Sequence, residues 1–142
     1  MPVNEAIAYF DPGDDLTGQA TATIVGRRFI KVSGAKQIGS QALSNDTLGG
    51  SILVAHCGAG QQALAVSTYD CAIGYKLPIV RGHKVMPVEA GAAATAGDSC
   101  MSDATGRAIT WVSAASDANK ELGVFLNTPT AAGQTAIIAL NI

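Results

Sequence analysis

The chain has 142 residues, 48% of them hydrophobic and 14% charged, with a formal net charge of −2. Intrinsic disorder needs low hydrophobicity and high charge, so this composition excludes it. The slight acidic balance also speaks against a nucleic-acid binder, which concentrates Lys and Arg on one face. One domain with its own core is expected at this length. Much of the apolar fraction is alanine, which predicts that subunit contacts add to stability.

Residues 1–15 read as an extended arm, with one apolar cluster, Ile7-Ala8-Tyr9-Phe10, ahead of the turn-forming Asp11-Pro12-Gly13-Asp14-Asp15. The arm has neither a basic region nor a long apolar stretch, so the chain reads as a cytosolic product with no membrane segment. Residues 16–142 read as a single β-rich domain. Short runs of Ile, Val, Thr and Leu between Gly-rich punctuation predict strands at 21–25, 28–33, 51–56, 63–68, 77–80, 84–88, 108–112, 123–126 and 135–140. In the second run Arg28, Ile30 and Val32 share one face, and Phe29 and Lys31 the other. The last run is apolar on both faces, as in a central strand or an interface strand. Pro78 and Pro87 predict edges or bulges, because proline cannot donate to a ladder. Gly82-His83 reads as a tight reversal, and 103–106 as a turn with Gly106 at positive φ. A short helical turn is predicted over 116–122, ended by Gly123.

Motifs for chemistry are sparse. Gly58-Ala59-Gly60-Gln61-Gln62-Ala63 fits a dinucleotide fingerprint on paper. The run 63–68 beyond the glycines reads as a strand rather than the helix such a site needs, so a hairpin turn explains them more simply. Cys57, Cys71 and Cys100 are odd in number and widely spaced, which fits reduced, buried thiols. His56 and Cys57 are strand neighbours facing opposite ways, and no Cys-x-x-Cys spacing supports zinc. Asp11, Asp14 and Asp15, and again Asp98 and Asp103, read as turn chemistry rather than a calcium site. No Gly-x-Ser-x-Gly elbow and no phosphate-binding loop is present. The reading is non-enzymatic, with no catalytic residue, metal or cofactor. Two basic clusters, Arg27-Arg28 with Lys31 and Arg81 with His83 and Lys84, read as solvated strand edges.

Three stretches carry a resemblance. They are Tyr9–Thr17 with Gly26–Gly34; Ala63-Leu64-Ala65 through Asp70-Cys71-Ala72-Ile73-Gly74 to Val80; and Val85–Gly91 with Ala96-Gly97-Asp98 and Asp103–Ala108. Together the pattern resembles small capsid decoration proteins of tailed bacteriophages, often labelled phage-associated recombinases of the RecA/RadA kind. The recombinase label lacks its phosphate loop here. The resemblance implies an all-β fold, a small β-barrel or β-tulip-like domain with an extended N-terminal arm. It implies a cement protein on the outer surface of the virion head, made in the host cytoplasm. Such a protein binds the major capsid protein at local symmetry axes, as a homotrimer, and resists internal DNA pressure. No nucleic acid and no membrane is expected as a partner. Cys57 and the polar stretch 114–122 depart from the pattern.

The expected capsid-binding residues are Val3, Ile7, Tyr9, Phe10, Asp14 and Asp15 in the arm and its turn, with Arg27 and Arg28 as cations for an acidic shell. Rival readings are a carbohydrate- or host-surface-binding domain using Trp111, Tyr69 or Tyr75, a small hydrolase using Cys57 or His83, and another head or tail component.

Overall fold

The computed structural model describes residues 15–35, 52–114 and 118–142. Ten strands run through them: β1 (Asp15–Ala20), β2 (Phe29–Val32), β3 (Ile52–His56), β4 (Ala65–Ser67), β5 (Lys76–Val80), β6 (Val85–Glu89), β7 (Ser99–Ser102), β8 (Ala108–Thr110), β9 (Gly123–Phe125) and β10 (Thr135–Leu140). The all-β expectation holds, and no helix occurs among the described residues. The turn predicted over 116–122 is not helical where it is described, from residue 118 onward. The reason is visible in its amides: Lys120 donates to the Gly60 carbonyl and Leu122 to the Cys100 carbonyl, so neighbouring segments replace helical partners.

The first five strands close a barrel in the order β1-β3-β2-β4-β5 and back to β1. The β1–β3 seam is parallel and the other four are antiparallel. These pairings set the strand directions. β1, β3 and β4 run one way, and β2 and β5 return. One end of the barrel therefore collects the start of β1, where residues 1–14 join, and both junctions of residues 36–51, which lead from β2 to β3. We call it the arm end. The far end holds the connections 21–28 and 68–75.

Alternation sorts the side chains into two cores. Ile30 and Ala65 face the barrel interior with Ala20, Val54, Leu77 and Ile79. Their neighbours Phe29 and Val66 face outward and pack with Val88, Leu122, Phe125 and Ile138. That second core lies between the barrel wall and a sheet of order β6-β10-β9-β7-β8. Phe29 and Phe125 are fully buried, each contributing on the order of 2–3 kcal/mol. The barrel interior is narrow. A Cβ on Gly18 would stand 2.9 Å from Val54 Cγ2, so β1 takes glycine there. The second sheet curls until its two edges nearly meet, with Ala90, just past β6, bridging Ala108 of β8 in parallel.

β10 is central, as its two apolar faces predict, with β6 and β9 on either side. Pro87 lies on the edge strand β6, and the neighbouring outward amide, of Glu89, is capped by the Arg27 carbonyl. Pro78 corrects the edge reading, because β5 has neighbours on both sides. Its nitrogen faces β4, whose pairing stops at Ser67, and the Thr68 hydroxyl donates instead to the Pro78 carbonyl at 2.8 Å. Gly82, at φ 92°, does reverse the chain. It passes it from the barrel to the second sheet rather than closing a hairpin. The run 21–25 is no strand: Ile24 makes one isolated bridge to Cys71, and the strand precedes it as β1.

Candidate functional site

Of the eight residues expected to bind a partner, three fall among the described residues, and these three do not gather in one place. Val3, Ile7, Tyr9, Phe10 and Asp14 lie outside the described residues, and Asp15 opens β1 at the arm end. Arg27 and Arg28 lie at the far end, in the connection 21–28. The arm junction and the arginines are thus separated by the length of the barrel.

Arg27 holds φ 59°, a left-handed conformation unusual for a side-chain-bearing residue. Hydrogen bonds on both sides hold it there: its amide donates to the Ser67 carbonyl, and its carbonyl accepts from Glu89. The side chain is exposed, and Nη1 donates to Thr135 Oγ1 at 2.9 Å across the seam between barrel and sheet. Arg28 is engaged more fully. Its Nε and Nη2 reach Glu89 Oε2 at 3.2 and 3.0 Å, and Nη1 reaches the Thr105 carbonyl at 3.3 Å. Both partners of the ion pair are 17% exposed. Arg28 therefore ties the barrel to the second sheet.

Beside Arg27 the far end carries exposed apolar side chains from one short connection. Tyr69, Ile73 and Tyr75 are 56%, 63% and 70% exposed, and all belong to the β4–β5 connection. That connection is held in shape from β1. Gly74 donates to the Ala20 carbonyl, and Gln19 Nε2 donates to the Gly74 carbonyl at 3.1 Å. Asp70 Oδ1 accepts the Gly26 amide at 2.8 Å. A Cβ on Gly26 would lie 2.6 Å from Tyr69 Cα, so glycine lets the two connections pack. The available signal was two tyrosines inside a turn-rich stretch with no apolar alternation.

At the arm end an open groove is lined by Lys31, Val32, Gln61, Leu64 and Arg81 among others. It joins the two basic clusters that the sequence showed separately.

The groups considered for catalysis stay apart. All three cysteines are buried, whereas His83 is exposed. Burial pushes the Cys57 thiol up, and burial with the nearby Glu121 carboxylate pushes Cys100 up to about 12. Such thiols are poor nucleophiles. His56 Nε2 accepts the Val25 amide at 2.9 Å, so its proton sits on Nδ1. Burial, then the Arg28 charge, lowers its pKa. Asp103 shapes the 103–106 turn. Its carboxylate accepts from the Thr105 amide at 2.8 Å and from the Arg107 amide at 2.9 Å and guanidinium at 2.8 Å. Burial pushes this carboxyl up, but those hydrogen bonds outweigh burial and hold it below its ordinary value. The glycines 58 and 60 lead through a loop into β4, not into a helix. Among the described residues no three His, Cys, Asp or Glu side chains converge as a metal site. Trp111 is half-buried and donates Nε1–H to the Asn119 carbonyl at 3.2 Å.

A family model described as phage cement protein matches residues 10–140. Among solved structures, the chain is similar to the head fiber gp8.5 N base of bacteriophage phi29, with a TM-score of 0.67 and 16% identity over 89% of this chain and 92% of that one. At that identity the likeness speaks for the fold. No curated protein matches the sequence.

Proposed function

The chain belongs to the phage cement protein family, and on that premise we propose that it coats the outside of the assembled head, binds the major capsid protein and stabilises the shell. The observation that carries this is the family match over residues 10–140, nearly the whole chain. The fold supports a direction of binding. Residues 1–14 and both junctions of residues 36–51 meet the barrel at the arm end, so that end faces the shell. Val3, Ile7, Tyr9 and Phe10 supply apolar anchors, and Asp14 and Asp15 charge. An extended arm adds readily to an exposed strand edge. With the arm end on the shell, Arg27, the exposed cation of the pair, stands at the far end and is left out of that contact. Arg28, enclosed against Glu89, holds the subunit together instead. A homotrimer matches a local threefold axis, and several weak contacts per oligomer multiply into firm attachment. The work is mechanical, with no catalytic step.

The test is to mix full-length protein, or a variant lacking residues 1–10, with undecorated expanded heads and image the particles by electron cryomicroscopy. Full-length protein adds density at threefold or quasi-threefold positions, and the truncated variant, still folded, leaves shells bare. Equal occupancy by both overturns the assignment of the arm, and bare shells with full-length protein overturn decoration itself.

A further inference from the structure

The far end carries an open groove between the connections 21–28 and 68–75, lined by Val25, Gly26, Arg27, Thr68, Tyr69 and Asp70. One wall has its backbone engaged. The Val25 amide donates to His56 Nε2 at 2.9 Å, and the Val25 carbonyl accepts from Ser67 Oγ at 2.8 Å. The Gly26 amide goes to Asp70 Oδ1, the Arg27 amide to the Ser67 carbonyl, and the Arg27 carbonyl takes the Glu89 amide. With all three amides taken, a polypeptide strand finds no donors to pair with along that wall.

Side chains are what the groove offers a ligand. Tyr69, Arg27 and Asp70 are all exposed. Thr135 Oγ1 holds Arg27 Nη1, and the Gly26 amide holds Asp70 Oδ1. Among the described residues, Arg27 Nε and Nη2 and Asp70 Oδ2 have no partner. One cation and one carboxylate share the groove, so it favours neither an anion nor a cation. It matches a molecule that both donates and accepts hydrogen bonds and has a C–H face to lay on an aromatic ring. A sugar meets each requirement: its hydroxyls donate to a carboxylate and accept from a guanidinium, and its C–H bonds suit the negative face of a tyrosine.

We propose that this groove binds an uncharged saccharide, with Tyr69 beneath a sugar ring, Asp70 accepting from its hydroxyls and Arg27 donating to them. The site is built before the ligand arrives. Arg27 is locked in its left-handed conformation from both sides, and Gly26 packs on the Tyr69 backbone, so little ordering is left to oppose binding. A single open groove binds weakly, and many copies on one head multiply that affinity for a polysaccharide. With the arm end on the shell, as proposed, the far end points outward and presents the groove to a sugar-coated surface. That orientation rests on the proposed function; the chemistry of the groove does not.

The test titrates free full-length protein, labelled with nitrogen-15, with maltohexaose, cellotetraose and an N-acetylglucosamine tetramer, and follows the backbone amides by NMR. With at least one sugar the shifts concentrate in residues 24–28 and 68–72, with a Kd of about 1 mM or tighter. Asp70→Asn, which keeps an oxygen for the Gly26 amide, and Tyr69→Leu each weaken that sugar about tenfold, as expected for loss of a charge-assisted hydrogen bond or a stacked ring. No shifts with any of the three, or shifts centred elsewhere, overturn the site. Binding of dextran sulfate alone, abolished by salt, overturns it too, because charge attraction to Arg27 would then suffice. Heads are tested separately on a resin carrying the bound sugar, where decorated heads are retained and bare heads pass. Free protein that binds the sugar while decorated heads pass would refute the outward orientation and leave the groove standing, so the two failures are distinguishable.

Discussion

Alanine at Gly106 and alanine at Gly74 separate backbone strain from collision. The two glycines have nearly the same φ, 86° and 84°. Any residue with a Cβ is strained there by roughly 1–2 kcal/mol, partly offset by about 0.4–1 kcal/mol from stiffening the unfolded chain. Around Gly74 a new Cβ meets nothing within 4 Å, so Gly74→Ala is expected to destabilise by about 1 kcal/mol or less. At Gly106 the Cβ would lie 2.5 Å from the Phe29 carbonyl oxygen. That oxygen is not free to retreat. It accepts the Cys57 amide at 2.9 Å, while the Phe29 amide donates to the Gly106 carbonyl at 2.7 Å. Losing both adds about 2 kcal/mol, for a total near ~3 kcal/mol. The assay is urea unfolding at fixed protein concentration, followed by fluorescence of Trp111, the single tryptophan. With a slope of about 2 kcal/mol per molar, Gly106→Ala lowers the midpoint by roughly 1.5 M and Gly74→Ala by under about 0.5 M. Equal shifts would refute the reasoning, because strain alone would then account for both.

The Arg28–Glu89 pair, 17% exposed on each side, lies between a surface pair worth under about 1 kcal/mol and a buried one whose disruption costs about 3–5. Arg28→Ala and Glu89→Ala should each lose about 2 kcal/mol, with about 1 kcal/mol of coupling in the double mutant; strict additivity would show that the seam is held by something else. The buried thiols predict slow reaction of the native protein with a thiol reagent at pH 8 and release of all three on unfolding. A fast-reacting fraction before unfolding would contradict their burial. Acid should weaken the fold in two stages. His56 is held below its ordinary 6.5 in the folded chain, so as pH falls below 6.5 the unfolded chain takes a proton first and stability declines until folded His56 is protonated too. Asp103, held below 3.8, contributes stability above that value and loses it as pH falls through the folded pKa. Urea midpoints against pH check both stages, and His56→Gln should flatten the upper one. An unchanged decline in that variant would assign it to another group.

The barrel body and the order of its strong runs were legible because β-branched residues cluster where strands are two-faced and buried. Two strands escaped for opposite reasons. β1, Asp-Leu-Thr-Gly-Gln-Ala, looks like a turn, since two of its three inward positions, Gly18 and Ala20 beside Leu16, are small, as a narrow barrel requires. β7, Ser-Cys-Met-Ser, has no β-branched residue, and Ser102 is buried with its hydroxyl donating to the Asp103 carbonyl. The strand-like 21–25 was misleading because only Ile24 is used, as a plug at the far end. Pairing order was out of reach of local pattern: β1 lies between β3 and β5, contacts that the run of residues does not encode. The candidate site was hidden in the same way. Lys31 and Arg81 come to line one groove only once β5 folds back beside β4.

The Gly82 amide donates to the carbonyl of Ile142 at 2.7 Å, which pins residue 142 beside the turn that leaves β5 at the arm end. With the arm end on the shell, as proposed, a cargo domain genetically fused after Ile142 would emerge on the shell side and have to thread outward past its own carrier. Ile73 and Gly74 stand at the other pole, exposed, with empty space around the glycine. For display of an antigen or an enzyme on a particle, that loop is the better insertion point.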